Sequence, residues 1–397
     1  MNTFTNLRVL VAGNAVALQL LRAGIATTVV ERAEGPRPGG QAVDLRGPSR
    51  EVAERMGLME GIRKYQLHEL GMNLVDRDGR DIYRMPAEMF DGKGAVAEIE
   101  ITRGDLNEVL LNELRSVAER LDYRYGGWIE SLDQDETGVD VVFASGRSER
   151  YDLVIGADGL HSGTRKLAFG PEEQFTTYLG GYMSFFTLPT PPNTEPGWMT
   201  IHVRPRASVG LRADADPSTS KATITLRMDQ KPELRRDVEA QKRLIRDMLA
   251  ASGWKAPEVL AAMETTPDFY FDELERVDMP TLSNGRITLL GDAGYCGSPM
   301  TGMGTAMALV GAYILAGEIA STPDDLTGAL ARSEAAVTPF LDKARELPGG
   351  GIKMMVPNSE IGVRAEQFLG KLMTTRIMKP VMMKMLDKTE DYVLPTY

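Results

Sequence analysis

Residues 7–31 constrain the fold more than any other stretch of the chain. Leu-Arg-Val-Leu-Val-Ala at 7–12 is short and rich in branched residues, which predicts a buried strand closed by Gly13. Residues 14–23 are strong helix formers, with Gly24 as their stop. Thr27-Thr28-Val29-Val30 predicts a second strand that ends at Glu31. A strand, helix and strand joined this tightly form a parallel pair with a right-handed crossover. An acid at the end of the second strand can take ribose hydroxyls, so the layout is that of a dinucleotide fold. On this stretch alone, a structural β-α-β unit with Glu31 as an ordinary surface acid stays open.

Two later stretches narrow the choice. Asp152-Leu-Val-Ile-Gly-Ala-Asp158-Gly159-Leu-His-Ser162-Gly-Thr-Arg165 runs a buried strand into a tight turn and sets Asp158 at the mouth of the fold. A capping role for Asp158 is the plainer reading of that loop. Gly291-Asp292-Ala-Gly-Tyr-Cys296-Gly-Ser-Pro299-Met300-Thr-Gly302-Met-Gly304-Thr305 follows the strand 286–290 and precedes a helix predicted over 305–320. Gly302 and Gly304 let the backbone approach a ligand closely, and the helix start offers free N–H groups and positive potential. Asp292 can accept a sugar-alcohol hydroxyl.

Between these motifs, 49–57 and 105–121 read as helices, the second with Thr102 as N-cap. Residues 123–144 read as antiparallel strands around a turn at 133–138. Alternation at 181–187, 199–204 and 222–228 predicts an inserted antiparallel sheet, followed by an amphipathic helix at 235–251. A Met-rich helix is expected over 361–387, bent at Pro380.

Composition excludes other classes. With 45 Lys+Arg against 56 Asp+Glu, the net charge of −11 argues against a general nucleic-acid binder. The single Cys296 excludes an intrachain disulfide and fits a reducing cytoplasm. Three scattered histidines, His68, His161 and His202, lack ligand spacing, so no metal is expected. No signal pattern opens the chain. No apolar run of 18 residues is evident, so no transmembrane segment is expected.

Together the three motifs resemble the FAD-dependent aromatic hydroxylases of the para-hydroxybenzoate hydroxylase type. Within them the chain is most similar to tetracycline-inactivating monooxygenases and to polyketide-tailoring enzymes of actinomycetes. The resemblance implies an α/β fold, in which a Rossmann-like three-layer FAD-binding domain is interrupted by an antiparallel-sheet substrate domain and followed by a long C-terminal helix. The implied boundaries are 1–175 and 268–350 for the FAD domain, 176–267 for the substrate domain and 351–397 for the helical segment, with 68–100 contributing to the substrate side. The resemblance assigns Glu31 and Arg32 to the adenosine ribose, Asp44 and Arg103 to FAD, Arg37 to NADPH, and Asp158 to FAD and the nicotinamide cofactor. Asp292 goes to the flavin ribitol, and Pro299, Gly302 and Gly304 shape the flavin pocket. His202, Arg204 and Arg212 on the inserted sheet, with Met300, are candidates for substrate contact.

The implied activity is a monooxygenase. NADPH or NADH reduces FAD, and O2 adds to give a flavin C4a-hydroperoxide that hydroxylates an aromatic or polyketide-like molecule, in antibiotic tailoring or inactivation. The chemistry is flavin-borne, so no protein residue is assigned as catalytic. A monomer is favoured, because no interface stripe is visible. One departure matters: the family's Gly-rich turn is shortened by about five residues around Gly13. Either the turn is truly short and FAD binding is weakened or lost, or a loop is missing from the sequence. A flavin-free relative using the scaffold for binding or non-redox chemistry is therefore the alternative, and a flavoprotein reductase or dehydrogenase is a third possibility.

Overall fold

A computed structural model describes residues 7–36, 39–90, 99–214, 216–347, 349–375, 378 and 391–397. The chain opens with β1 (Arg8–Val11), α1 (Asn14–Arg22) and β2 (Ala26–Glu31). The short strands β3 (Ala42–Leu45) and β6 (Ile99–Thr102) pair with each other and bracket α2 (Pro48–Arg55), α3 (Met59–Lys64), β4 (Gly71–Val75) and β5 (Asp81–Pro86). Then come α4 (Arg103–Ser116), β7 (Leu121–Tyr125), β8 (Ile129–Gln134), β9 (Val139–Phe143), β10 (Ser148–Tyr151), β11 (Leu153–Gly156) and α5 (Gly163–Phe169). The strands β12 (Thr176–Pro189), β13 (Trp198–Arg204), β14 (Ala207–Ala213) and β15 (Thr219–Arg227) lead to α6 (Val238–Leu249) and α7 (Ala256–Met263). The chain returns through β16 (Tyr270–Val277), β17 (Ser283–Asn284) and β18 (Ile287–Leu289). It then runs on through α8 (Asp292–Tyr295), α9 (Gly304–Ser321), α10 (Leu326–Ala344), α11 (Ile352–Met355) and α12 (Glu360–Met373).

The first sheet has the order β17-β18-β11-β1-β2-β7 and is parallel except for the β17 edge. Its central strands bury both faces, as parallel strands must. Val9 and Val11 pack into the helical layer of α1, α4, α9 and α10. Leu10 and Val154 point the other way, onto Val139, Val141 and Phe143 of the small sheet β10-β9-β8. Helices, parallel sheet and small antiparallel sheet make three layers.

Sequence and structure part in two places here. The helix expected to reach 121 ends at Ser116, and Leu121–Tyr125 pairs in parallel with β2 instead of joining the antiparallel strands at 129–143. As an edge strand with one face covered, it shows the alternation of a hairpin strand. Second, α9 has the length and apolarity to cross a membrane, with a mean hydropathy of 1.3 over 18 residues, where no such run was expected. It is nevertheless 67% buried within the protein, because its small residues let α1, α2 and α10 pack around it.

The second sheet has seven strands in the order β16-β12-β15-β14-β13-β4-β5. It thus takes strands from both sides of 176–267. Its neighbours are antiparallel except for β13 and β4. One face is closed by α6 and α7 over Tyr182, Phe186, Leu188, Val209, Leu211, Ile224 and Leu226. At its far end the other face carries α12, where Val363 packs on Leu74, Val203 and Ile201. Met354 and Met355 are exposed. Pro380, Met382, Met383 and Met385 lie outside the described residues.

Candidate functional site

Gly13, Glu31 and Asp158 gather at the C-terminal edge of the parallel sheet, where such sheets bind ligands. Only Ala12 and Gly13 separate β1 from α1. A Cβ at Gly13 would stand 2.8 Å from that of Ala157, so glycine permits this close approach. No side chain caps the start of α1 and no acid lies in its first turn, so its free N–H groups and dipole stay open to an anion. Glu31 accepts a hydrogen bond from the Ala33 N–H at 2.7 Å, and Arg32 lies over the Trp128 ring at 5.7 Å.

Asp158 is tied within its own loop. One carboxylate oxygen accepts from the Ser162 hydroxyl, and the other from the Thr164 N–H at 2.9 Å and its hydroxyl at 3.1 Å. Asp158 thereby braces Ser162, the N-cap of α5, and the helix's first turn. Arg165 of the same motif is fully buried. It donates to the Ala293 carbonyl at 2.8 Å and to the Leu160 carbonyl at 2.7 Å, locking the second motif to the third.

The third motif forms a loop of unusual backbone. Gly291 and Gly302 have φ of 65° and 67°, and Ser298, without glycine's freedom, has φ of 75°. Strain of this kind gathers at ligand sites. Asp292 opens α8, and a Cβ on Gly304 would lie 4.0 Å from its carboxylate oxygen. Among the described residues, nothing lies within 4 Å of the place a Gly302 side chain would take. The 18-residue α9 starts beside it with no side-chain cap and no acid in its first turn. Pro299 is exposed and Met300 is buried against Leu274, Ile352 and Val356. Burial, with Asp292 nearby, pushes the Cys296 thiol up and keeps it inert.

Arg103 begins α4 after the Thr102 cap. Its N–H donates to the Gln41 carbonyl at 2.9 Å, and the Gly104 N–H to Gly39 at 2.7 Å. These bonds clamp the loop before β3 onto the helix start. Asp44 pairs with Arg46. Arg37 lies outside the described residues.

The seven-stranded sheet divides the substrate candidates. Register places His202 opposite Val209 and Arg204 opposite Ala207, on the face closed by α6 and α7. His202 is buried, with Nδ1 3.1 Å from the Val75 carbonyl, and Arg204 donates to the Met248 carbonyl at 2.7 Å at the end of α6. The expectation that they face substrate is therefore corrected: Arg204 satisfies a helix C-terminus, as cations do. Arg212 is on the opposite face, in ion pairs with Glu69 at 3.0 Å and Glu100 at 3.4 Å. Burial, and then the proximity of Glu69, pushes the Glu100 carboxyl well up against the pull of Arg212.

That opposite face also carries Met183, Phe185, Thr223, Lys221, Tyr270 and Asp272. It meets the cofactor layer: a Cβ on Gly39 would be 3.3 Å from Lys221 Nζ, and Arg103 and Asp292 both act electrostatically on Tyr270. His161, from the second motif, reaches across to Asp272, with Nε2 at 3.0 Å, and to Glu172, with Nδ1 at 3.0 Å. Burial opposes charge on His161, but the bonds to Asp272 and Glu172 prevail and push the imidazole up to about 9. His161 and the Arg235 guanidinium, which also pairs with Glu172, hold that carboxyl down to about 2 against its burial. Neither Tyr270 nor Asp272 was marked as a polar site residue in sequence. His161 and Asp272 lie 111 residues apart, and only the register of β16 unites them.

Motifs at the C-terminal edge of a parallel sheet, facing a second large sheet, define an enzyme of the nucleotide-cofactor class. Comparison with known proteins specifies it. Residues 11–325 match the FAD binding domain family. The chain is 36% identical to a flavin-dependent monooxygenase of Legionella longbeachae, over 84% of each chain. It is 33% identical to an FAD-dependent monooxygenase of Sarocladium schorii, over 93% of this chain and 91% of that one. Its structure is similar to that of the tetracycline destructase Tet(51), with a TM-score of 0.82 and 30% identity over 98% of this chain and 99% of the other. The chain belongs to the FAD-binding family of flavin-dependent monooxygenases.

Proposed function

We propose that the chain uses NADPH or NADH, FAD and O2 to hydroxylate an aromatic or polyketide-like small molecule, in the cytoplasm and as a monomer. The observation that carries this is the cleft face of the seven-stranded sheet. It holds Tyr270, with Phe185 beside it, within electrostatic reach of Asp292 and Arg103. Two uncapped helix starts fit the group electrostatically: α1 for a pyrophosphate and α9 for an electron-rich ring edge. When bound, FAD supplies electron storage and transfer of one oxygen atom from O2.

In this reading Gly13 and α1 hold the pyrophosphate, and Glu31 with Arg32 the adenosine ribose. Asp44, Arg103 and Asp158 position the flavin side, and Asp292 accepts from the ribitol. Pro299, Gly302 and Gly304 leave space for the ring. Arg165 fixes the two motif loops relative to each other, and the sheet excludes water from the reacting centre. The similarity to the tetracycline destructase Tet(51) makes tetracycline the first substrate probe.

The test is the visible absorbance of the purified chain after addition of FAD and desalting. Near-stoichiometric flavin is expected, with Asp292→Ala weakening retention about 10- to 100-fold, the loss of one charge-assisted hydrogen bond. Tetracycline should then stimulate NADPH-dependent O2 uptake. Absence of flavin at saturating FAD would instead favour the flavin-free reading, which the two-residue connection at Gly13 motivates.

A further inference from the structure

On the cleft face, the direction in which a neutral hydroxyl hydrogen-bonds is set by its neighbours. Tyr270 is the clearest case. Its side chain is half exposed, beside Phe185, within the electrostatic reach of Arg103 and Asp292. Its hydroxyl donates to Asp272 Oδ2 at 2.8 Å. Asp272 cannot return a proton. Its Oδ1 faces His161 Nε2 at 3.0 Å, and the His161 Nδ1 is occupied by Glu172 at 3.0 Å. Nδ1 also meets the Arg235 guanidinium, and whichever of the two it serves, Nε2 keeps its proton toward the Asp272 carboxylate, so Asp272 is an acceptor from both sides.

A phenol has one proton. With that proton committed to Asp272, the Tyr270 oxygen can offer the cleft only lone pairs. We propose that Tyr270 is a specificity-determining residue that selects substrates bearing an O–H donor, such as a phenol or enol, and that Asp272 and His161 are positioning residues that fix its polarity. A carbonyl or ether oxygen in the same place meets lone pair against lone pair and leaves a buried acceptor unpaired, which costs more than the missing bond alone. The inference rests on the reading of this face as the substrate side, and it names the hydrogen-bonding class of the substrate.

The geometry also says how to reverse the preference. Asp272 Oδ1 serves His161 and Oδ2 serves Tyr270. In Asp272→Asn, the amide oxygen keeps the His161 bond, and the amide N–H₂ turns toward Tyr270. The Tyr270 oxygen then accepts from the amide, and its own proton is free for the cleft. A merely structural role for Asp272 predicts no such inversion.

The probes are 1-indanol and 1-indanone, bicyclic aromatics of matched size that differ in bearing a hydroxyl or a carbonyl. Their binding to the full chain with added FAD is measured by titration calorimetry. The unaltered protein is expected to favour 1-indanol by about three- to tenfold, one hydrogen bond's worth. Tyr270→Phe brings the two within about twofold of each other, and Asp272→Asn shifts the ratio toward 1-indanone. An unchanged ratio in Tyr270→Phe overturns the proposal, as does failure of 1-indanol to bind at its solubility limit. Flavin content is read separately from absorbance. A chain that discriminates the probes without holding flavin would defeat the monooxygenase reading and leave this one standing.

Discussion

The two faces of the seven-stranded sheet are made by the same strands and have opposite fates. On one, Val209, Leu211, Ile224 and Leu226 are sealed under α6 and α7 into an apolar core, and the polar residues that share it are structural. On the other, Phe185, Thr223, Lys221, Tyr270 and Asp272 look toward the cofactor layer. A period of two means that neighbours in sequence serve unrelated purposes. Polarity alone therefore does not mark a residue as functional here. The covering of its face does.

The largest expected effect tests that separation on one strand. Ile224 is fully buried on the closed face, and its neighbour Thr223 points into the cleft. Ile224→Ala should cost about 2–5 kcal/mol through lost burial and the cavity it leaves. Thr223→Ala should stay within about 0.5 kcal/mol. Thermal unfolding of the two variants measures both. Comparable losses would mean that the cleft face is packed as tightly as the closed one.

How much of this was legible in the sequence depends on the range of the interaction. The β-α-β unit was readable because its apolar strands and its helix stop at Gly24 are local. The loop around Asp292 was readable because glycine and strand boundaries carry their meaning within about a dozen residues. The phase of β13 was not. His202 and Arg204 read as polar residues open to substrate or solvent. The terminal helix α12 covers Ile201 and Val203 with Val363, and α6 covers the other face by accepting Arg204, so both faces of the strand are closed. A helix more than 150 residues away in sequence closes the side that α6 and α7 leave open. The pairing of His161 with Asp272 was hidden for the same reason.

That pair gives the second prediction, because it pins the cleft face to the cofactor layer. His161 is raised from 6.5 to about 9. Its contribution is then full below pH 6.5 and is lost as pH rises through about 9. Glu172, held down to about 2, contributes fully above its ordinary range near 4.5 and loses this as pH falls through about 2. The clamp is strongest between these limits. The His161 side chain is about one-third exposed, so screening reduces its worth to roughly 1 kcal/mol. Unfolding followed from pH 6.5 to 9.5 should show a fall in the unaltered protein that His161→Gln lacks. Parallel falls in the two would remove His161 as the titrating group.

The smallest expected effect falls on ligand binding by the closed face. His202 and Arg204 are bonded to the Val75 and Met248 carbonyls, and neither side chain reaches the cleft. His202→Gln and Arg204→Gln should therefore change the affinity for 1-indanol by less than about twofold, as expected of sites without shared partners. Tm is the quantity they should move, because each leaves a carbonyl short of its donor. If either substitution weakened 1-indanol binding as strongly as Tyr270→Phe while leaving Tm in place, the closed face would be taking part in recognition. The helices over it would then be a movable cover, and the division between the faces would belong to one state of the protein only.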